Sequence, residues 1–227
     1  MKKTRLNKRL VELGLSPSRR KADEAITTGL VQVNGEIATL GTSVTEADTI
    51  LLGGKQGQSK APIYVALNKP TGYVCSHASQ GEAKTIFELL PKSFAELKIA
   101  GRLDKESEGL VLLSSDGEFV QAITHPSAEK EKEYIVKIDQ PISSEALKKF
   151  QNGVRLYDGV SNFIAVTKIN PATLRVTLSE GRNRQIRRTF AQLSYTVVGL
   201  QRVRVGKLQL GLLPSGKHRV IQPGEVL

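Results

Sequence analysis

The run from Gly101 to Gly117 constrains the fold of this chain more than any other segment. Gly101-Arg102-Leu103-Asp104 opens a turn that closes at Gly109. Leu110-Val111-Leu112-Leu113 follows at once, a stretch too apolar to be anything but a buried strand. Asp104 is therefore a charge at the edge of a core. A lone Leu-Asp pair anywhere in a chain reads as a solvated turn acid.

The chain has 227 residues, 39% of them hydrophobic, enough for one ordinary core plus a small appendage. The single cysteine, Cys75, lies in an apolar-flanked stretch and reads as a buried thiol, which excludes a disulfide framework. The first ten residues are basic but lead into no apolar signal region, and no stretch approaches a membrane span. The expectation is a soluble, cytoplasmic protein with no membrane partner.

A net charge of +11 points to a polyanionic partner, and its distribution sharpens the point. From Met1 to Lys21 there are eight Lys or Arg against one acid, Glu12, and from Gly181 to Gly224 there are nine against none. Two basic blocks at opposite ends, with balanced charge between, predict two places where phosphates are neutralised. With five Tyr, six Phe and no Trp, the chain has few rings for a broad single-strand stacking surface.

Leu6, Leu10 and Leu13 predict a short amphipathic helix ending at Gly14. Ser16 or Ser18 caps a second, whose inner stripe is Ala22, Ala25 and Ile26 and whose stop is Gly29. Leu30 to Val33, the pair Asn34-Gly35 and Glu36-Ile37 then read as a hairpin. Arg5, Lys8, Arg9, Arg19, Arg20 and Lys21 cluster at the helix starts and on their polar faces, where phosphate oxygens meet guanidinium groups and free backbone donors. This segment resembles the S4 RNA-binding fold, a small α-L module, with Asn7 where that family usually has Asp. The exchange is expected to loosen an internal polar contact and to leave the basic surface intact.

Gly53 to Lys60 has no apolar residue and three glycines, and is expected to be a flexible tether. The predicted plan is an RNA-binding module at 1–52, a linker at 53–61 and a larger domain at 62–227. In the larger domain, Ile63–Leu67, Leu110–Ser114, Tyr134–Ile138, Phe163–Val166, Leu174–Leu178 and Arg202–Leu210 read as strands. Thr85–Leu90, Glu118–Thr124, Ser143–Phe150 and Asn183–Leu193 read as helices. Crossover helices do not separate the strands regularly, so the class is α+β rather than a doubly wound parallel sheet. Within the last helix, Ile186, Phe190 and Leu193 point inward, Arg184 and Arg188 point to solvent, and Arg187 falls on the border.

Four segments in order, Asn68-Lys69-Pro70-Thr71-Gly72, Gly101 to Gly117, Lys132-Glu133-Tyr134-Ile135-Val136 and Glu180 to Arg188, resemble the bacterial ribosomal-RNA pseudouridine synthases that modify a single uridine. The resemblance runs from Arg5 to about Pro223. It implies the pseudouridine synthase fold, a long bent antiparallel sheet flanked by helices with the active cleft crossing it. It also implies that Asp104 is the catalytic carboxylate, that Tyr134 lies against the target base and that Arg187 pairs with Asp104. Such a guanidinium would keep the acid ionised and oriented. Lys69 is expected near the cleft mouth, and Arg102, Arg182, Arg184 and Arg188 on RNA phosphates.

Pseudouridine formation is an isomerisation that needs no metal, redox carrier or group donor. No glycine-rich cofactor loop is present, and His77, His125 and His218 are scattered without ligand spacing, so no cofactor and no metal is expected. The expected partner is ribosomal RNA, with the large-subunit RNA favoured by the wording of Asn183 to Arg188, and the expected state is a monomer. The competing reading is a non-catalytic S4 protein acting in ribosome assembly or regulation. Asp104, Tyr134 and Arg187 discriminate against it, because binding alone requires no such set. An S4-bearing methyltransferase is disfavoured by the missing cofactor glycines.

Overall fold

Leu6 and Leu10 stand one helical turn apart, and burying both against Ala22 and Ile26 is what organises the N-terminal part of the chain. The structure is a computed structural model that describes residues 3–59, 61–79 and 81–227. It divides into two units, Met1–Pro62 and Ile63–Leu227, each with its own core.

In the first unit, helix α1 (Leu6–Glu12) ends before Gly14, which turns the chain at φ 67°. Helix α2 (Arg19–Thr27) is capped by Ser18, whose Oγ accepts from the Lys21 amide at 3.2 Å, and Gly29 ends it at φ 71°. Strand β1 (Thr4–Arg5) pairs with β4 (Ser43–Val44), while β2 (Val31–Val33), β3 (Glu36–Ile37), β5 (Ile50–Leu52) and β6 (Lys55–Gln56) form a sheet in the order β3-β2-β5-β6. Asn34 and Gly35, both at positive φ, make the predicted hairpin turn.

One expectation for this unit is corrected. Gly53 and Gly54, at φ 55° and 75°, form a tight turn that folds β6 back onto β5, so the glycine pair there closes a hairpin rather than opening a tether. Gly57 then packs so closely that a Cβ would stand 2.6 Å from both the Leu13 carbonyl oxygen and Leu15 Cγ. The boundary moves accordingly to Pro62. Asn7 Nδ2 donates to both carboxylate oxygens of Asp23, at 2.8 and 3.1 Å, while its buried Oδ1 has no hydrogen-bond partner among the described residues.

The second unit is built on a sheet of nine strands, consistent with the α+β expectation. In chain order these are β7 (Tyr64–Lys69), β8 (Lys98–Ala100), β9 (Glu108–Ser114), β10 (Lys132–Ile138), β13 (Ala165–Asn170), β14 (Thr173–Leu178), β15 (Val197–Val205), β16 (Leu208–Gln209) and β17 (His218–Val220). A separate hairpin pairs β11 (Val154–Leu156) with β12 (Gly159–Ser161). The main path runs β13-β14-β10-β15-β9-β7-β17, with β16 on β15 and β8 on β9. Every pairing in it is antiparallel except one, β15 beside β9.

That parallel seam sits beside the Gly101–Gly117 segment. Leu110 and Leu112 of β9 face Phe119 and Ile123 of helix α3 (Gly117–Thr124), while Val111 and Leu113 face Ile86 and Leu97. A strand buried on both faces cannot alternate with polar residues, and this is why the run is continuously apolar. On the other side of the seam, Val136, Leu174 and Val176 pack with Phe150 of helix α4 (Ser144–Gln151) and Phe190 of helix α5 (Gln185–Ala191).

Some predicted elements shift. Phe163 and Ile164 precede β13 rather than begin it, and Arg202–Leu210 is two strands broken at Gly206, at φ 56°. Thr85–Leu90 is a 3₁₀ turn over Ile86–Leu89, and α5 starts two residues later than expected because Arg184 adopts the left-handed conformation, φ 47° and ψ 32°.

Candidate active site

The loop carrying Asp104 spans Gly101 to Ser107 and feeds directly into β9 at the parallel seam. Its backbone carbonyls are gripped by three cationic side chains from three different elements. Lys69, at the end of β7 and fully buried, donates to the carbonyls of Ser107 at 2.5 Å, Pro70 at 3.0 Å and Lys105 at 3.4 Å. Arg202, on β15 and 2% exposed, donates to Leu110 at 2.7 Å, Gly101 at 3.0 Å and Arg102 at 3.4 Å. Arg187, on α5, donates to the Glu106 carbonyl at 3.2 Å, Ser107 Oγ at 3.4 Å and the Val197 carbonyl at 2.8 Å.

Desolvating a cation is costly unless its hydrogens find acceptors, so these three side chains are stable only while the loop carbonyls stay in place. The coupling works in both directions and fixes the loop. Further bonds complete it: the Gly72 amide donates to Lys105 O at 2.8 Å, the Leu103 amide to Cys75 Sγ at 3.4 Å, and the Ser107 amide to Asp104 O at 3.1 Å. Burial pulls the Lys69 ammonium and the Arg187 guanidinium below their ordinary pKa ranges, and the Asp104 and Glu106 charges oppose the shift in both.

The Asp104 carboxylate lines a cleft of about 560 Å³, a size suited to a small ligand group. Tyr134 and Leu200 form part of its apolar wall, and Arg102, Arg182 and Arg184 contribute cationic groups. Asp104 keeps 32% side-chain exposure, and Tyr134, on β10 opposite Val176, keeps 7% overall. The guanidinium within ion-pair reach of Asp104 is that of Arg184, Nη1 to Oδ2 at 3.8 Å. The same nitrogen bonds Glu106 Oε2 at 2.9 Å. Arg184 holds the Glu106 carboxyl below its usual range.

The geometry decides between the two arginines. Among the described residues Arg187 makes no ion pair with Asp104; it donates to the Glu106 carbonyl and the Ser107 hydroxyl further along the loop, and the guanidinium in ion-pair reach of Asp104 is that of Arg184. Starting α5 at Gln185 is the physical reason. The left-handed turn at Arg184 swings its side chain off the helix face, where regular periodicity had pointed it to solvent, and over the loop.

Family models match most of the chain. A family model described as RNA pseudouridylate synthase matches residues 63–192, and an S4 domain model matches residues 4–50. The chain belongs to the RNA pseudouridylate synthase family. It is 36% identical over 227 residues to the dual-specificity RNA pseudouridine synthase RluF of Salmonella typhi, covering 99% of this chain and 78% of that protein. It is 34% identical over 229 residues to the ribosomal large subunit pseudouridine synthase B of Bacillus subtilis (strain 168), covering 98% of this chain and 93% of that one. A crystal structure of a pseudouridylate synthase superposes with a TM-score of 0.71 at 32% identity and 97% coverage of both chains.

In this pseudouridine synthase the basic residues predicted from sequence divide into several sets. Arg19 and Arg20 at the start of α2 are exposed, as is Arg102 on the cleft. Arg5 reaches the Gly41 carbonyl at 3.3 Å, Lys8 and Arg9 lie 3.7 and 3.3 Å from Glu12, and Lys21 lies 2.6 Å from Glu24. These contacts are surface pairs of small energetic weight that phosphates can displace. Lys69 is corrected: it is not at the cleft mouth but sealed beneath the loop. Arg182 and Arg188 both pair with Asp158, at 3.1 and 2.8 Å.

Arg202 was not among the expected site residues, though a signal existed. It shares strand parity with buried Leu200, which should have turned an Arg inward. Val203 is an extra residue opposite the Glu133–Tyr134 step, a bulge that then returns Val205 to the core. Nearby, Lys132 donates to the Lys130 and Ser179 carbonyls at 2.9 and 3.2 Å, and burial, helped by the Arg202 charge, lowers its pKa to about 8.

A folded-state value below the unfolded one near 10.4 means that the unfolded chain binds more protons between those limits. Stability should therefore rise as pH increases from about 8 toward 10.4. Because Lys132 is only partly buried, solvent screening cuts the effect to about 1 to 2 kcal/mol. Denaturant melts at pH 7.5 and 10 should show this rise in wild type and lose it in Lys132→Met. An equal rise in both proteins would assign it to other groups.

Proposed function

We propose that this protein converts a single uridine of ribosomal RNA to pseudouridine, in the large-subunit RNA, with Asp104 acting on a nucleotide extruded into the cleft. The observation that carries the reading is the Asp104 carboxylate, open to the cleft while its loop is immobilised from beneath by Lys69, Arg187 and Arg202. A carboxylate that must meet a sugar carbon in one orientation requires such preorganisation.

The reaction breaks the N1–C1′ bond, turns the detached uracil, joins C5 to C1′, removes the proton from C5 and leaves N1 protonated. An ionised carboxylate facing the ribose serves this either by attacking the sugar or by taking an adjacent sugar proton. Arg184 supplies positive charge beside the carboxylate, its Nη1 lying 3.8 Å from Asp104 Oδ2. Tyr134 and Leu200 wall the space in which the base turns. Unstacking the uridine costs a few kcal/mol, which phosphate contacts at Arg102 and on the S4 module offset. The large-subunit assignment rests on the wording of the α5 motif and on the Bacillus subtilis relative, whose name gives that subunit.

Mapping pseudouridines in ribosomal RNA from cells with and without the gene tests the reading. The expected result is the loss of one site in large-subunit RNA. Loss confined to small-subunit RNA would overturn the target, and an unchanged map would overturn the activity.

The S4 module is expected to supply affinity rather than chemistry. A fragment of residues 63–227 should fold, because its three apolar clusters lie wholly within it. It should bind RNA more weakly, with a salt slope reduced by about 0.7 to 0.9 for each phosphate that the module had neutralised. Circular dichroism and salt-titrated filter binding check both points; an unfolded fragment or an unchanged slope would contradict them.

A further inference from the structure

Among the five Tyr and six Phe of this chain, one ring stands in the open: Tyr157, 87% exposed. It occupies the two-residue turn of the β11–β12 hairpin, where Leu156 pairs with Gly159. The hairpin is not a loose loop. Val154 and Leu156 are buried in the cluster around Phe150 and Phe190, and Ser161 Oγ accepts from Gln185 Nε2 at 3.1 Å and Thr189 Oγ1 at 2.8 Å.

One side of the Tyr157 ring is already taken. The Arg188 guanidinium carbon lies 4.8 Å from the ring centroid, a cation–π contact. Arg188 is fixed by a bidentate bond to Asp158, at 2.9 and 2.8 Å. Asp158 also accepts from Arg182 Nη1 at 3.1 Å, and Arg182 lines the cleft that holds Asp104. The ring is thus supported from behind, faces solvent in front, and stands two ion-paired side chains away from the reaction site. Carrying an aromatic ring in water gains nothing for folding, whereas an open ring backed by an arginine is what a nucleobase stacks on.

We infer that the open face of Tyr157 is a stacking platform for a base of the RNA strand flanking the target uridine, with Arg188 as its backing and Asp158 as the clasp that holds Arg188 in place. This rests on the proposed RNA substrate and assigns it a further point of attachment. Stacking tolerates any base, so the platform positions the strand beside the cleft without selecting a sequence, and it resists salt where phosphate contacts do not.

The test compares wild type, Tyr157→Ala and Tyr157→Phe in the full-length protein on an unmodified large-subunit RNA transcript, measuring Kd at several salt concentrations and the single-turnover rate of pseudouridine formation at saturating enzyme. Tyr157→Ala should weaken binding about tenfold, with an unchanged salt slope and an unchanged saturated rate. Tyr157→Phe should stay within twofold of wild type. Three results would overturn the inference: Ala binding like wild type, Phe as weak as Ala, or a salt slope that falls in Ala, which would mean that Arg188 had been neutralising a phosphate. Wild type failing to form pseudouridine would instead defeat the proposed function, so the two failures read differently.

Discussion

Asp104→Asn is expected to lower the rate of pseudouridine formation at least about a thousandfold, equivalent to about 4 kcal/mol of barrier, while leaving RNA affinity within a few-fold of wild type. The amide is nearly isosteric, and the fixing of the loop runs through backbone carbonyls that the substitution does not touch. Asn can neither attack the sugar nor accept its proton. Thermal melting should be nearly unchanged, because the side chain is one-third exposed and its ion-pair contact with Arg184, at 3.8 Å, is long. Loss of RNA binding in parallel with activity would instead make Asp104 a binding residue.

Gly109→Ala should be the most damaging single-methyl change near the site. Gly109 sits at φ 104°, and a Cβ there would lie 2.3 Å from the Arg202 carbonyl oxygen and 2.7 Å from its amide nitrogen. Both atoms are backbone at the one parallel seam, where Arg202 and Gly109 stand side by side, so no rotamer relieves the clash. The strands must separate, and Arg202 then withdraws from Gly101, Arg102 and Leu110. A loss of about 3 to 5 kcal/mol is expected. Gly224→Ala, where a Cβ meets nothing within 4 Å, is the control and should change stability by less than about 0.5 kcal/mol. Urea melts decide the matter, and similar midpoints for the two variants would show that the close approach at the seam is unimportant.

Much of this fold is legible in the residues themselves. The continuous apolar run of β9, the capped helices of the first unit and the Asn34-Gly35 turn carry local signals, because glycine conformation, capping and burial on both faces leave a mark in the sequence. What escaped is what depends on contacts between distant segments. Lys69 looks like any cation after a strand until the loop 36 to 38 residues later closes over it. Arg184 looked solvent-facing because helical periodicity was extended through a residue that is left-handed. Arg187 was expected on the Asp104 carboxylate and instead holds that loop's backbone. The β11–β12 hairpin carries a local signal too, the Asp-Gly turn in Leu156-Tyr157-Asp158-Gly159, but its Asp158 meets Arg182 and Arg188 only through contacts 24 and 30 residues apart. Gly53-Gly54 has the composition of a tether, and the same dipeptide is also the chemistry of a tight hairpin.

On the proposed mechanism the Asp104 carboxylate, on a loop gripped by Lys69, Arg187 and Arg202, isomerises a uridine in ribosomal RNA. Release of tritium from a large-subunit RNA transcript labelled at uridine C5 measures that event directly, since the C5 proton must leave when C5 joins the sugar. Purified wild-type protein should release one equivalent per transcript without added metal or cofactor, and Asp104→Asn should release none above background. Release by Asp104→Asn at the wild-type rate, or none by wild type, would contradict the account.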